Sequence, residues 1–132
     1  MLTGLNHITL VVTDLNRSLD FYQTVLGARL AAHWPKGAYL EIGPVWLCLE
    51  LGDSVSPRVD HSHIAFSCAA GDFDALAERI TGAARIWKTN RSEGASVYFE
   101  DPDGHKLELH EGTLATRLAH YRSSPASGVT IL

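Results

Sequence analysis

His7-Ile8-Thr9-Leu10 and His63-Ile64-Ala65-Phe66 are two versions of one pattern, and reading them together decides the fold. Each sets a histidine at the head of a short apolar run, and each precedes an acidic helix start and a helix that ends at a glycine. Two further matches keep the same order. Tyr39-Leu40-Glu41 resembles Tyr98-Phe99-Glu100, and Leu47-Cys48-Leu49 resembles Leu107-Glu108-Leu109. Each half therefore reads as strand, helix and three strands, and the halves are offset by roughly sixty residues. The expected class is α+β, built from paired βαβββ modules.

Helical spacing fills in the pattern. Leu15, Leu19, Tyr22 and Leu26 recur on one face behind Asp14, whose carboxylate suits an N-cap, and Gly27 suits a left-handed stop. Asp72, then Phe73, Leu76, Ala77 and Ile80, then Gly82 repeat that arrangement. A last short helix is expected from Thr113, carrying Leu114, Leu118 and Tyr121. Residues 51–60 are turn-rich and join the halves. The expected organisation is one domain over 1–132, with modules at about 1–50 and 61–112, a linker at 51–60, and a helix and loosely held tail at 113–132.

Side chains alternate across a strand, so each strand has two distinct faces. Ile8, Leu10 and Val12 oppose His7 and Thr9, while Ile64 and Phe66 oppose His63 and Ala65. Leu47 and Leu49 oppose Trp46 and Cys48, and Leu107 and Leu109 oppose Lys106, Glu108 and His110. One face of each sheet is thus apolar and fit to be covered by a helix. The other collects His, Thr, Cys and Glu. Such faces are common on solvated antiparallel sheets. Here the repeat makes His7 and His63 equivalent, with Cys48 and Glu108 as their partner positions. If the two halves curve toward each other, these groups converge on a cavity that calls for a ligand or metal. Two imidazoles and a carboxylate leave coordination positions open on a catalytic dication. Cys48 as a fourth ligand would instead favour zinc.

Composition bounds the rest. Hydrophobic residues make up 45% of the 132, enough for a packed interior, and the net charge of −4 argues against a general nucleic-acid or anionic-membrane binder, which needs a basic stripe. No apolar run is long enough to span a bilayer, and the first residues lack a signal-peptide pattern. Two cysteines, Cys48 and Cys68, suit a reducing compartment, so the expected location is cytoplasmic.

Five segments carry a resemblance to a known family: Leu5-Asn6-His7-Ile8-Thr9, Gly37-Ala38-Tyr39-Leu40, Trp46-Leu47-Cys48-Leu49, Trp87-Lys88-Thr89-Asn90-Arg91-Ser92-Glu93-Gly94 and Asp101-Pro102-Asp103-Gly104-His105. Together they resemble the fosfomycin glutathione transferases of the vicinal oxygen chelate superfamily, over residues 1 to about 122. The loop from Trp87 to Gly94 is the specific part, whereas the Asp-Pro-Asp-Gly-His turn marks only the superfamily. The resemblance implies a domain-swapped homodimer in the glyoxalase/bleomycin-resistance-like fold. It implies a Mn(II) site of His7 from one subunit with His63 and Glu108 from the other, leaving Cys48 outside the metal shell. It maps Lys88, Ser92, Ser96, Tyr98 and Arg117 onto a phosphonate pocket, and Thr9 onto the hydroxyl that meets the opening epoxide oxygen. Tyr39 would assist the thiol of glutathione, with Trp34 and Arg91 bordering that co-substrate. Asn90, Ser92, Glu93, Gly94 and Ser96 resemble a loop that binds activating potassium.

The pattern also has departures. His61 stands where relatives usually carry a tyrosine, Thr89 replaces a common glutamine, and Pro125-Ala126-Ser127-Gly128 lacks the usual tyrosine. Alternatives on the same fold are a transferase using another thiol, an epoxide hydrolase, a metal-free drug-binding protein, or another metal-dependent lyase or dioxygenase. The hydrolase needs a base near Lys36-Gly37-Ala38, and Glu41 is the nearest carboxylate in sequence.

Overall fold

The computed structural model describes residues 1–132. The first half runs β1 (His7–Val12), α1 (Leu15–Asp20), β2 (Arg29–Trp34), β3 (Gly37–Ile42) and β4 (Val45–Leu51). The second runs β5 (Ile64–Ser67), α2 (Phe73–Thr81), β6 (Ile86–Lys88), β7 (Ala95–Glu100) and β8 (Lys106–Glu111), followed by α3 (Leu114–Arg122). The sheets have matching orders, β1-β4-β3-β2 and β5-β8-β7-β6, with the first pair of each parallel and the others antiparallel. Both outer hairpins carry an irregularity at the same place, between Leu30 and Ala32 and between Ile86 and Lys88. The repeat read from three short matches is therefore a repeat of topology, down to its bulges.

The helices differ from expectation in instructive ways. Asp14 caps α1 as read, its carboxylate accepting from the Arg17 amide, and Gly27 is left-handed at φ 73°. Between them α1 widens into a π-helical segment over Phe21–Val25. Gln23 and Thr24 direct their side chains at the carbonyls of Leu19 and Asp20, the acceptors an α-helix would reserve for amides 23 and 24. In α2, Asp72 makes no side-chain cap and Gly82 keeps a right-handed φ of −75°. Thr113 caps α3 in a reciprocal capping box with Thr116, but α3 buries none of its residues. The tail holds one 3₁₀ turn, Pro125–Ser127.

One apolar cluster spans both halves. Tyr22, Phe21 and Leu47 from the first pack with Ile80, Phe99 and Leu107 from the second, and the Phe21 and Phe99 rings lie 6.4 Å apart. The Asp101–His105 turn ties the halves together. Asp101 accepts from the Tyr22 hydroxyl at 2.7 Å and from the amides of Asp103 and His105. Asp103 accepts from Thr13, Arg17 and Ser18, and the His105 ring meets the Val11 carbonyl at 2.7 Å. These bonds fix the far end of β1, the strand carrying His7 and Thr9.

The chain exposes 8491 Å². A compact monomer of this mass exposes about 6,800 Å², roughly 1,600 Å² less. Tyr39, Trp46, His7 and His63 on the sheets are among the exposed residues, along with the chain ends and α3.

Candidate functional site

Register brings the expected residues into two equivalent rows. In the first sheet Thr9, Cys48 and Tyr39 lie side by side across β1, β4 and β3. In the second, Ala65, Glu108 and Tyr98 occupy the same places across β5, β8 and β7. His63 sits just before β5 and not within it, but reaches the row: its Nε2 lies 3.5 Å from Glu108 Oε2. Glu108 is 6% exposed, so a buried carboxylate faces an imidazole edge.

The other imidazole nitrogen settles which edge that is. His63 Nδ1 lies 2.6 Å from the His61 carbonyl, which can only accept, so Nδ1 carries a proton. Nε2 then presents a lone pair toward a carboxylate oxygen, an arrangement that needs a cation between them, either a proton or a metal ion. His7 is held likewise, Nδ1 against Asn6 Oδ1 at 2.6 Å, and its ring packs on Trp46 at 4.4 Å. These donors fit a borderline or hard dication. Within one chain, however, no three His, Cys, Asp or Glu side chains are grouped to hold a metal. His7 and the His63–Glu108 pair belong to different sheets, and a single chain does not join them.

Beside Glu108, the second sheet gathers a cluster of polar side chains. Tyr98, 5% exposed, has its hydroxyl pushed up by burial and then by Glu108, with Ser92 and Ser96 opposing the shift. Lys88 Nζ lies 4.9 Å from the centre of the Tyr98 ring. Ser96 Oγ donates to Glu108 Oε1 at 3.1 Å and meets His110 Nδ1 at 2.7 Å. The loop ahead of β7 is closed by its own groups: Asn90 Nδ2 donates to the Gly94 carbonyl at 2.8 Å, and Asn90 Oδ1 accepts from the amide and hydroxyl of Ser92. Arg117 reaches over from α3 to donate to the Glu93 carboxylate and carbonyl, both at 3.0 Å. Gly94 is needed here at φ 82°, since a Cβ would meet His110 Cε1 at 2.8 Å and the Glu111 carbonyl at 2.9 Å.

The first sheet contributes an aromatic wall. Trp34 meets Tyr39 edge-on at 4.8 Å, and Tyr39 meets Trp46 at 5.2 Å. Cys48, expected on the polar face, is buried together with Leu47 and Leu49. Burial pushes its thiol up, opposed by a hydrogen bond with Thr9. Glu41, the nearest candidate base, is held by Arg29 at 3.1 Å. Sequence reasoning left three contributors without roles: Asn6, the His61 carbonyl and Trp87, whose ring lies 5.4 Å from His63 and 5.2 Å from Tyr98. Asn6 and Trp87 both stand inside the quoted segments, but neither spacing nor alternation marks an orienting contact.

Residues 4–109 match the model of the Glyoxalase/Bleomycin resistance protein/Dioxygenase superfamily. The chain is 50% identical to Glutathione transferase FosA of Serratia marcescens, covering 98% of this chain and 95% of that protein. It is 39% identical to Metallothiol transferase FosB of Shouchella clausii, covering 94% and 90%. Among solved structures, the fosfomycin resistance protein FosX from Listeria monocytogenes, complexed with Mn(II) and sulfate, superposes with a TM-score of 0.80 at 38% identity, covering 92% of this chain and 99% of that one.

Proposed function

The chain belongs to the fosfomycin resistance proteins of the glyoxalase/bleomycin resistance/dioxygenase superfamily, and from that premise we propose that it is a Mn(II)-dependent transferase adding glutathione to the epoxide of fosfomycin. The observation that carries this reading is His63 Nε2 facing buried Glu108 beside the Tyr98–Lys88 contact. His63 and Glu108, with His7 from a second copy, would hold the dication. When bound, it supplies Lewis acidity to the oxygen that gains charge as the strained ring opens.

The chain's own residues do the rest. Lys88 brings positive charge to the phosphonate, and Arg117 has N–H groups beyond the two committed to Glu93. Ser92, Ser96 and Tyr98 line the pocket with hydroxyls, and Tyr98, held in its neutral form by burial, stays a donor. Thr9 offers its hydroxyl to the departing epoxide oxygen. Thiolate attack from the other side opens the ring, and Tyr39 on the aromatic wall steadies the incoming sulfur. Potassium in the Asn90–Ser96 loop would stiffen the segment that carries Ser92 and abuts Lys88.

A second copy completes the site. Excess exposed surface of roughly 1,600 Å² per chain is of the size a permanent dimer covers, and His7, His63, Tyr39 and Trp46 are among the residues left exposed. The partners are thus fosfomycin, glutathione and a second copy, with no nucleic acid and no membrane. No helix is long and apolar enough to cross a bilayer, and we assign the protein to the cytoplasm, where glutathione is found reduced. The hydrolase reading is weaker, because the carboxylate nearest its expected base, Glu41, is paired with Arg29.

Protection of bacteria from fosfomycin tests the assignment. Expression should protect a host that makes glutathione and fail in one that cannot. Glu108→Ala and Lys88→Ala should each remove most protection while the protein stays folded. Equal protection in both hosts would overturn the choice of thiol, and full protection by either variant would remove that residue from the site.

A further inference from the structure

Ser96 Oγ stands between two polar groups, 3.1 Å from Glu108 Oε1 and 2.7 Å from His110 Nδ1. A hydroxyl has one proton, and an ionised carboxylate can only accept. The Ser96 proton therefore goes to Glu108, and His110 Nδ1 must donate to Ser96. The direction of both bonds follows: His110 Nδ1–H to Ser96 Oγ, and Ser96 Oγ–H to Glu108 Oε1.

The ring has little freedom to do otherwise. A Cβ on Gly94 would lie 2.8 Å from His110 Cε1, and one on Gly112 would lie 2.7 Å from His110 Nε2. Two glycines thus leave room for the imidazole on either side, and any larger residue would displace it. Ser96 and His110 also face each other in register across β7 and β8, so strand pairing sets their approach. At the far end of the chain, Glu108 has one oxygen held by Ser96 and the other, Oε2, 3.5 Å from His63 Nε2.

We propose that His110 is a positioning residue for the metal-binding carboxylate, acting through Ser96 to hold Glu108 so that Oε2 is presented to the cation shared with His63. This rests on the reading of Glu108 as a metal ligand. It also changes the role of Ser96, whose proton is committed to Glu108 and whose hydroxyl reaches the phosphonate only if that bond is given up.

The test is metal binding, independent of turnover. Metal-free full-length protein is titrated with Mn(II), and free Mn(II) is followed by its electron paramagnetic resonance signal. His110→Ala and Ser96→Ala should each weaken binding about tenfold or more. The Ser96→Ala change barely alters volume, so it reads the same link without disturbing the packing around His110. The double variant should bind no more weakly than either single one, because both break one chain of bonds. His110→Asn, which returns an amide N–H near the place of the Nδ1–H, should restore most of the affinity. Unchanged affinity in His110→Ala, or losses that multiply in the double variant, would overturn the inference. Glu108→Ala separates the two readings. If it abolishes binding while His110→Ala does not weaken it, only the positioning role fails. If Glu108→Ala binds Mn(II) as the unaltered chain does, the metal site itself is wrong and the inference falls with it.

Discussion

His7 and His63 each have Nδ1 tied to an oxygen, so both present Nε2 outward. A neutral imidazole fixed in this way is ready to bind a metal without paying for reorientation. The thiols are the reverse case. Burial comes first among the causes that push both Cys48 and Cys68 up, and carboxylates near each add to it. A raised thiol holds less thiolate at a given pH, and the thiolate is the reactive form. Both cysteines should therefore alkylate with iodoacetamide more slowly at pH 8 than free glutathione does, as read by intact mass. Alkylation of Cys48 at the rate of glutathione would show that its burial is lost in solution. Slow alkylation also fits the reading that the attacking sulfur belongs to the co-substrate.

At the scale of elements, the Asp101–His105 turn and the loop before β7 hold the site's geometry. Tyr22 is raised well above its usual value by burial first and then by Asp101, so the folded state resists its ionisation. The stabilisation is fully present below the unfolded tyrosine value of about 10 and is lost as pH rises beyond it. Tyr22→Phe should lessen that alkaline loss, leaving the share that the raised Tyr98 and the two cysteines contribute. It should also cost about 1–3 kcal/mol at neutral pH, because Asp101 Oδ2 loses its buried donor; urea unfolding at pH 7 and pH 10.5 measures both. An alkaline loss undiminished in the variant would assign it to those other groups. Gly94→Ala should distort the loop, since φ is positive and the nearest clash is with backbone as well as His110. A cost of about 1–3 kcal/mol and weakened phosphonate binding, read by calorimetry, are expected. Much of this scale was legible in the residues. The paired motifs at His7 and His63 gave the module order, and the register puts Thr9 beside Cys48 and Ala65 beside Glu108, as the repeat pairs them. The bulges at Leu30–Ala32 and Ile86–Lys88 were not legible, because register depends on pairing partners far away in sequence. The π-helical widening of α1 was hidden for a different reason: Gln23 and Thr24 look like ordinary helix residues until their side chains take the carbonyls. His110 stood beside Glu108 on the polar face, yet its bond to Ser96 crosses between strands and has no signature in either segment.

For the whole molecule, the second copy proposed to complete the site makes the sharing of sites testable. His7→Ala and Glu108→Ala homodimers should each be inactive. Mixed and allowed to exchange subunits, they should recover about a quarter of unaltered activity, since each heterodimer rebuilds one intact site and spoils the other. No recovery, with exchange verified by mass, would place all three ligands in one chain. The reaction itself decides the account. Metal-stripped protein, fosfomycin and glutathione should be followed by phosphorus NMR, adding Mn(II) and then potassium, beside a sample without thiol. The account predicts a new phosphonate resonance only when metal and glutathione are both present, appearing faster once potassium is added. A product formed without thiol, or no product under any of these conditions, would contradict it.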